Sequence, residues 1–217
     1  MRKLTFIIAF ILIAGCSNPP ATYVDPDAPS IVNAAQNGSL ATVKKILSQS
    51  PDAIWDTDSK DNSVASCAIL NDHHDIAIFL IQSGFPINPK DNSDFPLIMS
   101  CLSRYTEGSR NMLEYLLENG ADPNVVYEPE GWVPLNMAAN NGQEENVRLL
   151  VKHGARLDSK DRLGQTSLEM AKERVAQFKD PNFNYPHGEL SDPKVRQDAI
   201  ERWEKMVKLL TELAEGR

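Results

Sequence analysis

The chain has 217 residues, 22 of them Lys or Arg and 30 Asp or Glu, for a formal charge of −8 at pH 7. That length suits a single domain or one repeat array. The acidic balance excludes two classes of partner, because it gives neither the cationic footprint needed for a phosphate backbone nor a basic patch for anionic headgroups.

The first element is Met1 to Gly15, with Arg2 and Lys3 ahead of the apolar stretch Leu4 to Ala14. An eleven-residue apolar run falls short of the ~20 residues a spanning helix needs and fits the core of an export signal. The ending Ile13-Ala14-Gly15-Cys16 resembles the bacterial lipobox, which implies cleavage after residue 15 and lipidation of Cys16. Ser17 stands where inner-membrane retention usually shows Asp, so the expected location is the periplasmic face of the outer membrane. Loss of Arg2 and Lys3 leaves 20 basic against 30 acidic residues, a net −10. Residues 16–29 carry Pro19, Pro20, Pro26 and Pro29 and read as an extended tether.

From 30 to 217 the sequence keeps a beat. First breaks fall at Gly38, His73, Gly108 and Gly142, with spacings of 35, 35 and 34. After each comes a helix with apolar residues at i, i+3 and i+4: Val43/Ile46/Leu47, Ala77/Leu80/Ile81, Leu113/Leu116/Leu117 and Val147/Leu150/Val151. Gly84, Gly120 and Gly154 then stop the helix as left-handed residues, and Asn88, Asn124 or Asp158 follows to brace a turn. Each two-helix unit has one apolar face that only stacking can bury. The run Gly131-Trp132-Val133-Pro134-Leu135 has its counterpart 33 residues on, at Gly164-Gln165-Thr166-Ser167-Leu168.

These residues resemble the ankyrin repeat. "VPLNMAANNGQEENVRLLVKHGARLD" follows the family's T-P-L-H-x-A-A-x-x-G…V-x-x-L-L-x-x-G-A-D pattern, and "LLENGADPN" matches its end. The resemblance covers about residues 30–171 and implies an all-α solenoid of about five helix-turn-helix units with short hairpin turns. His73 replaces a glycine in unit two. Pro96 to Gly108 is four residues longer than Pro134 to Gly142, which places Tyr105 on a lengthened first helix or its exit loop. In the last unit, residues 172–198 read as an insertion loop. Residues 199–214 read as a capping helix with Ile200, Trp203, Val207 and Leu210 on one face.

The sequence holds no nucleophile elbow, phosphate loop or zinc-spaced ligand set, so no catalytic residue, metal or cofactor is assigned and no enzyme or small-molecule substrate is expected. His73 and His74 are adjacent and point apart, His153 suits a helix C-terminus, and His187 lies in the aromatic loop as a possible contact. Cys67 and Cys101 read as small buried hydrophobes in preference to a disulfide.

The resemblance implies a concave protein-binding surface. By motif its tips carry Trp55, Lys60, Lys90, Tyr127, Trp132, Lys160 and Arg162, and its first-helix positions carry Asn71, Asp72, Tyr105, Asn140 and Asn141. Trp132 is expected to face out as a contact residue, and Trp55 to be buried against unit two. Phe178, Phe183 and Tyr185 are left open between loop packing and a second contact patch. The partner-binding set is therefore Trp132, Tyr105, Tyr127, Asn140, Asn141, Arg162, Lys160, Asp72 and Tyr185. Similarity to bacterial ankyrin lipoproteins implies an immunity protein that neutralises a secreted effector such as a phospholipase. The alternative is a periplasmic scaffold supporting an enzyme, for instance against oxidative stress.

Overall fold

The computed structural model describes residues 30–88, 95–127, 131–180, 183 and 192–216. The described helices are α1 (Ser30–Gln36), α2 (Leu40–Gln49), α3 (Val64–Leu70), α4 (His74–Gln82), α5 (Leu97–Leu102), α6 (Glu107–Glu118), α7 (Pro134–Asn140), α8 (Glu144–Lys152), α9 (Ser167–Lys179) and α10 (Pro193–Glu215), with a 3₁₀ turn at Pro51–Trp55. They pair in order, and the odd-numbered helices stack on one another along the array, as do the even-numbered ones. The result is a two-layered all-α ankyrin solenoid.

Burial explains why the units cannot stand alone. α5 buries all six of its residues, and α3 buries every residue except Leu70. Such helices have no solvent face to spare, so neighbours must cover both flanks. One contiguous apolar core accordingly runs from Ile31 to Leu210. The anchor residues Val43, Ala77, Leu113 and Val147 are each wholly buried. Cys67 and Cys101 are buried free thiols within this core.

Local signals set the element ends. Ser63 and Thr106 cap α3 and α6 by accepting from Ser66 N at 3.2 Å and Ser109 N at 3.0 Å. Thr166 and Glu169 form a capping box at α9. Gly84, Gly120 and Gly154 close the second helices with φ of +106°, +92° and +95°.

Three expectations are corrected. In unit two the left-handed residue is Asp72 (φ +62°), while His73 is the N-cap of α4 at φ −91°. An aspartate tolerates that conformation better than most side chains, so it takes the turn one position early. Gly108 is no break: of the four extra residues of unit three, one lengthens the exit loop and three extend α6 at its N-terminal end to twelve residues against nine in α4 and α8, which leaves Gly108 inside that helix. Its missing side chain is needed for space, because a Cβ there would lie 2.7 Å from His74 Cε1. At the end of the array, α9 continues to Lys179 and α10 begins at Pro193, so helix occupies both ends of the stretch read as loop. On α10 the buried face is Ala199, Ile200, Trp203, Met206, Leu209 and Leu210, with Val207 only partly covered.

Candidate partner-binding surface

Each unit has two edges, one before its first helix and one after it. A seven-residue helix is only about 10 Å long, which sets the distance between them. The leading edge is a row of short fingers closed by the single bridges Thr57↔Ser63, Tyr127↔Trp132 and Lys160↔Thr166. Two of them share one turn chemistry. Asp58 Oδ1 accepts from Lys60 N at 2.8 Å and Asn62 N at 2.9 Å, and Asp161 Oδ1 accepts from Leu163 N at 2.8 Å and Gln165 N at 3.0 Å. The residue three further on is left-handed in both, Asp61 at φ +62° and Gly164 at φ +77°.

The leading edge brings together Tyr127, Trp132, Lys160 and Arg162. Tyr127 and Trp132 exchange both backbone hydrogen bonds, at 2.9 and 3.2 Å. Adjacent fingers touch, since a Cβ at Gly131 would lie 2.9 Å from Arg162 Cβ. Lys160 and Arg162 are exposed. Trp132 does not face out as expected: it is half-buried against the core, and the Tyr127 ring meets Phe95 edge-on at 5.2 Å. A finger closed by one residue pair leans on its neighbour, so its flanking rings become walls between units.

The trailing edge carries Asp72, Tyr105, Asn140 and Asn141. Tyr105 lies in the exit loop, 66% exposed, and its hydroxyl donates to Glu145 Oε2 at 3.4 Å. Partial burial, with the Glu145 carboxylate beside it, holds its phenol above the ordinary value. Asp72, though exposed, and half-buried Asn141 are tied by hydrogen bonds to neighbouring units. Asp72 Oδ2 receives Arg104 Nη2 at 2.6 Å and its Oδ1 receives Thr106 Oγ1 at 3.1 Å, while Asn141 Nδ2 donates to Leu102 O at 2.9 Å. Asn140 is half-buried at the end of α7.

These bonds belong to a ladder that sequence reasoning missed. His73 reaches Gln36 O at 3.1 Å, Arg104 donates to Leu70 O, and Gln143 Nε2 donates to Leu102 O and Arg104 O at 2.9 and 3.2 Å. Gln36 O, Leu70 O and Leu102 O each lie at the end of the preceding unit's first helix, where helix geometry leaves the carbonyl without an internal partner, and Arg104 O lies in the exit loop just beyond α5. A second ladder runs behind the fingers. Asn88 accepts from Asp122 N and donates to Gly120 O, at 2.8 and 2.9 Å, and Asn124 repeats this with Arg156 N and Gly154 O at 2.8 and 3.0 Å. The turn braces therefore clamp the next unit. The spacing of these partners, 30 to 41 residues, is the signal that could have exposed them.

One exposed apolar residue was missed, and one expected to be buried is exposed. Leu163 is 77% exposed at the turn of the last described finger, and Trp55 is 47% exposed despite packing on Phe85 at 5.7 Å. For Phe178 the structure decides in favour of packing: it is buried, with Phe183 at 6.3 Å. Cys16, Lys90, Tyr185 and His187 lie outside the described residues.

Little here is poised for chemistry. Burial pushes the Cys101 thiol far up, which suppresses the reactive thiolate. His74 is held below its ordinary value, first by burial, with Arg104 and His73 adding and Asp72 and Asp75 opposing. Among the described residues no cluster of His, Cys, Asp and Glu has the makings of a metal site.

The comparisons with known proteins agree with this architecture. The family described as "Ankyrin repeats (3 copies)" matches residues 31–127 and 107–177. The ankyrin repeat protein nuc-2 of Neurospora crassa is 29% identical over 132 residues, 60% of this chain and 12% of that protein. Protein phosphatase 1 regulatory subunit 12A of Rattus norvegicus is 31% identical over 91 residues, 41% of this chain and 9% of that protein. The ankyrin repeat and KH domain-containing protein mask-1 of Caenorhabditis elegans is 29% identical over 147 residues, 67% of this chain and 5% of that protein. The chain thus spans only a small part of the relatives it matches. What they share is the repeat array, typically a non-enzymatic scaffold for protein–protein interaction, and the chain belongs to the ankyrin-repeat family.

Proposed function

We propose that this chain is a lipid-anchored protein-binding module on the periplasmic face of the outer membrane, and that it binds and neutralises a secreted antibacterial effector such as a phospholipase. The observation that carries the protein-binding part is the rigid stack itself. It is clamped at both edges and holds Tyr105 exposed in the exit loop of unit three and Lys160, Arg162 and Leu163 exposed on the finger before α9. Ordering was completed when the units stacked, so binding costs little further entropy. The rat relative is named a regulatory subunit, which is consistent with an array that acts through another protein.

The anchor rests on the lipobox-like Ile13-Ala14-Gly15-Cys16 and the proline-rich residues that follow. Acylation and a tether would hold the array at the membrane and raise its local concentration against an effector acting there. The net −10 charge favours a basic partner, with association slowing as salt rises.

The test is capture of the partner followed by assay of the partner's own activity. The expected result is a single tight partner, silenced when the chain is added in equal amount. For a phospholipase, the readout is lipid hydrolysis on vesicles. A partner whose activity is unchanged or raised by the chain would overturn the inhibitor reading.

A further inference from the structure

Unit two also departs from the pattern of units three and four just after its second helix. After Gly120 and Gly154 come Ala121 and Ala155, both buried; after Gly84 comes Phe85. Its ring reaches back to Trp55 of the preceding unit, the planes inclined by 35°. Trp55 ends the 3₁₀ turn Pro51–Trp55, a detour specific to unit one among the described residues. Two aromatic rings thus meet at the surface where units three and four need only a methyl group.

The pair forms one wall of an open groove of ≈ 170 Å³. Ile87 and Phe95 add to its apolar lining, and Asp61, at the turn of the first finger, is the one charged residue among the described residues that line it. Small-molecule pockets usually run to ~300–1,000 Å³. This groove has room for a single long side chain.

The lining selects the kind of side chain. Aromatic faces attract a cation as well as an aliphatic stem. An exposed carboxylate completes a site for a cationic head and repels an anionic one. The surrounding segment 51–63 holds four aspartates and one lysine, which extends the same field. Asp58 is consumed by the finger turn, whereas Asp52 and Asp61 are exposed. Guanidinium stacks on aromatic rings better than ammonium does. The chain already makes a related contact elsewhere, with Lys44 Nζ 5.1 Å from the centre of the Phe79 ring.

We infer that the groove between Trp55, Phe85 and Asp61 receives an arginine side chain from a basic, extended segment of a protein partner. The inference rests on the protein-binding reading above and adds a site at the first finger, away from Tyr105 and the later fingers.

The chain has three tryptophans, so its ¹⁵N-labelled form gives three indole signals. The probe is the peptide acetyl-Gly-Ala-Arg-Ala-Gly-amide, with citrulline and glutamate versions as controls. The arginine peptide is expected to shift the Trp55 signal saturably and leave that of the buried Trp203 in place. Removing the charge contact costs about tenfold in affinity, so that loss is expected both for the citrulline peptide and in Asp61→Asn, where asparagine still tolerates the left-handed turn. Trp55→Leu, followed from the peptide's guanidinium signal, should lose as much.

A silent Trp55, equal shifts with citrulline or glutamate, or wild-type affinity in Asp61→Asn would overturn the assignment. A natural partner bound undiminished by a chain carrying both substitutions would overturn it too, while leaving the protein-binding reading intact. Peptide binding as described, with no partner silenced by the chain, would support the groove and sink the inhibitor reading instead.

Discussion

Gln143 offers the sharpest test of the edge ladder. It is wholly buried, donates through Nε2 to Leu102 O and Arg104 O, and accepts from Asn146 Nδ2 at 3.0 Å. In Gln143→Ala, Leu102 O keeps its bond from Asn141, but Arg104 O and Asn146 Nδ2 lose theirs. Two buried polar groups left unsatisfied at ~1–2 kcal/mol each give a loss of about 2–4 kcal/mol. Asn141→Ala alone should cost only about 0.5–1.5 kcal/mol, because Leu102 O keeps its bond from Gln143. The double variant strips Leu102 O of both side-chain donors, so its loss should exceed the sum of the two single losses by about 1 kcal/mol. Urea unfolding of the four proteins measures all three quantities, and each kcal/mol should lower Tm by roughly 2–4 °C in a chain of this size. Strict additivity, or a Gln143→Ala protein within about 0.5 kcal/mol of wild type, would show that the ladder does not hold the units together.

His74 makes stability depend on pH. Its folded value lies below the unfolded 6.5, so its contribution is fully present above pH 6.5 and is lost as pH falls through the lower folded value. Stability of wild type should therefore drop between pH 7 and 5 more steeply than that of His74→Gln, and equal slopes by chemical denaturation would refute this. Tyr105→Ala, at a 66% exposed position, should leave stability within ~0.5 kcal/mol and weaken the partner by about 2 kcal/mol; full affinity by titration calorimetry would place the contact elsewhere. Cys16→Ser should release the chain from the membrane fraction, and unchanged fractionation would refute the lipid anchor.

The two-helix beat, the glycine stops at 84, 120 and 154 and the apolar stripes were legible because periodicity and backbone conformation are local properties, set within a few residues. The error at Gly108 shows the limit. A glycine on the expected beat was read as a break, yet what demands it is the His74 ring of another unit. Asp72 and Asn141 likewise carried the residue types of a contact surface, but their hydrogen bonds run to residues more than 30 positions away.

The candidate surface depended on packing more than on pattern. Trp132 and Trp55 exchanged their expected roles because exposure is decided by what the next unit brings alongside. For Trp132 that is a closed finger leaning on its neighbour; for Trp55 it is a single phenylalanine ring, which covers part of the indole and leaves the residue 47% exposed. The sequence by itself determined that the chain is a stack and where each helix has its apolar stripe, since those follow from the order of residues along one segment. Only the tertiary structure decided which polar groups are spent tying units together and which aromatic faces remain in water, because both depend on groups one full repeat apart.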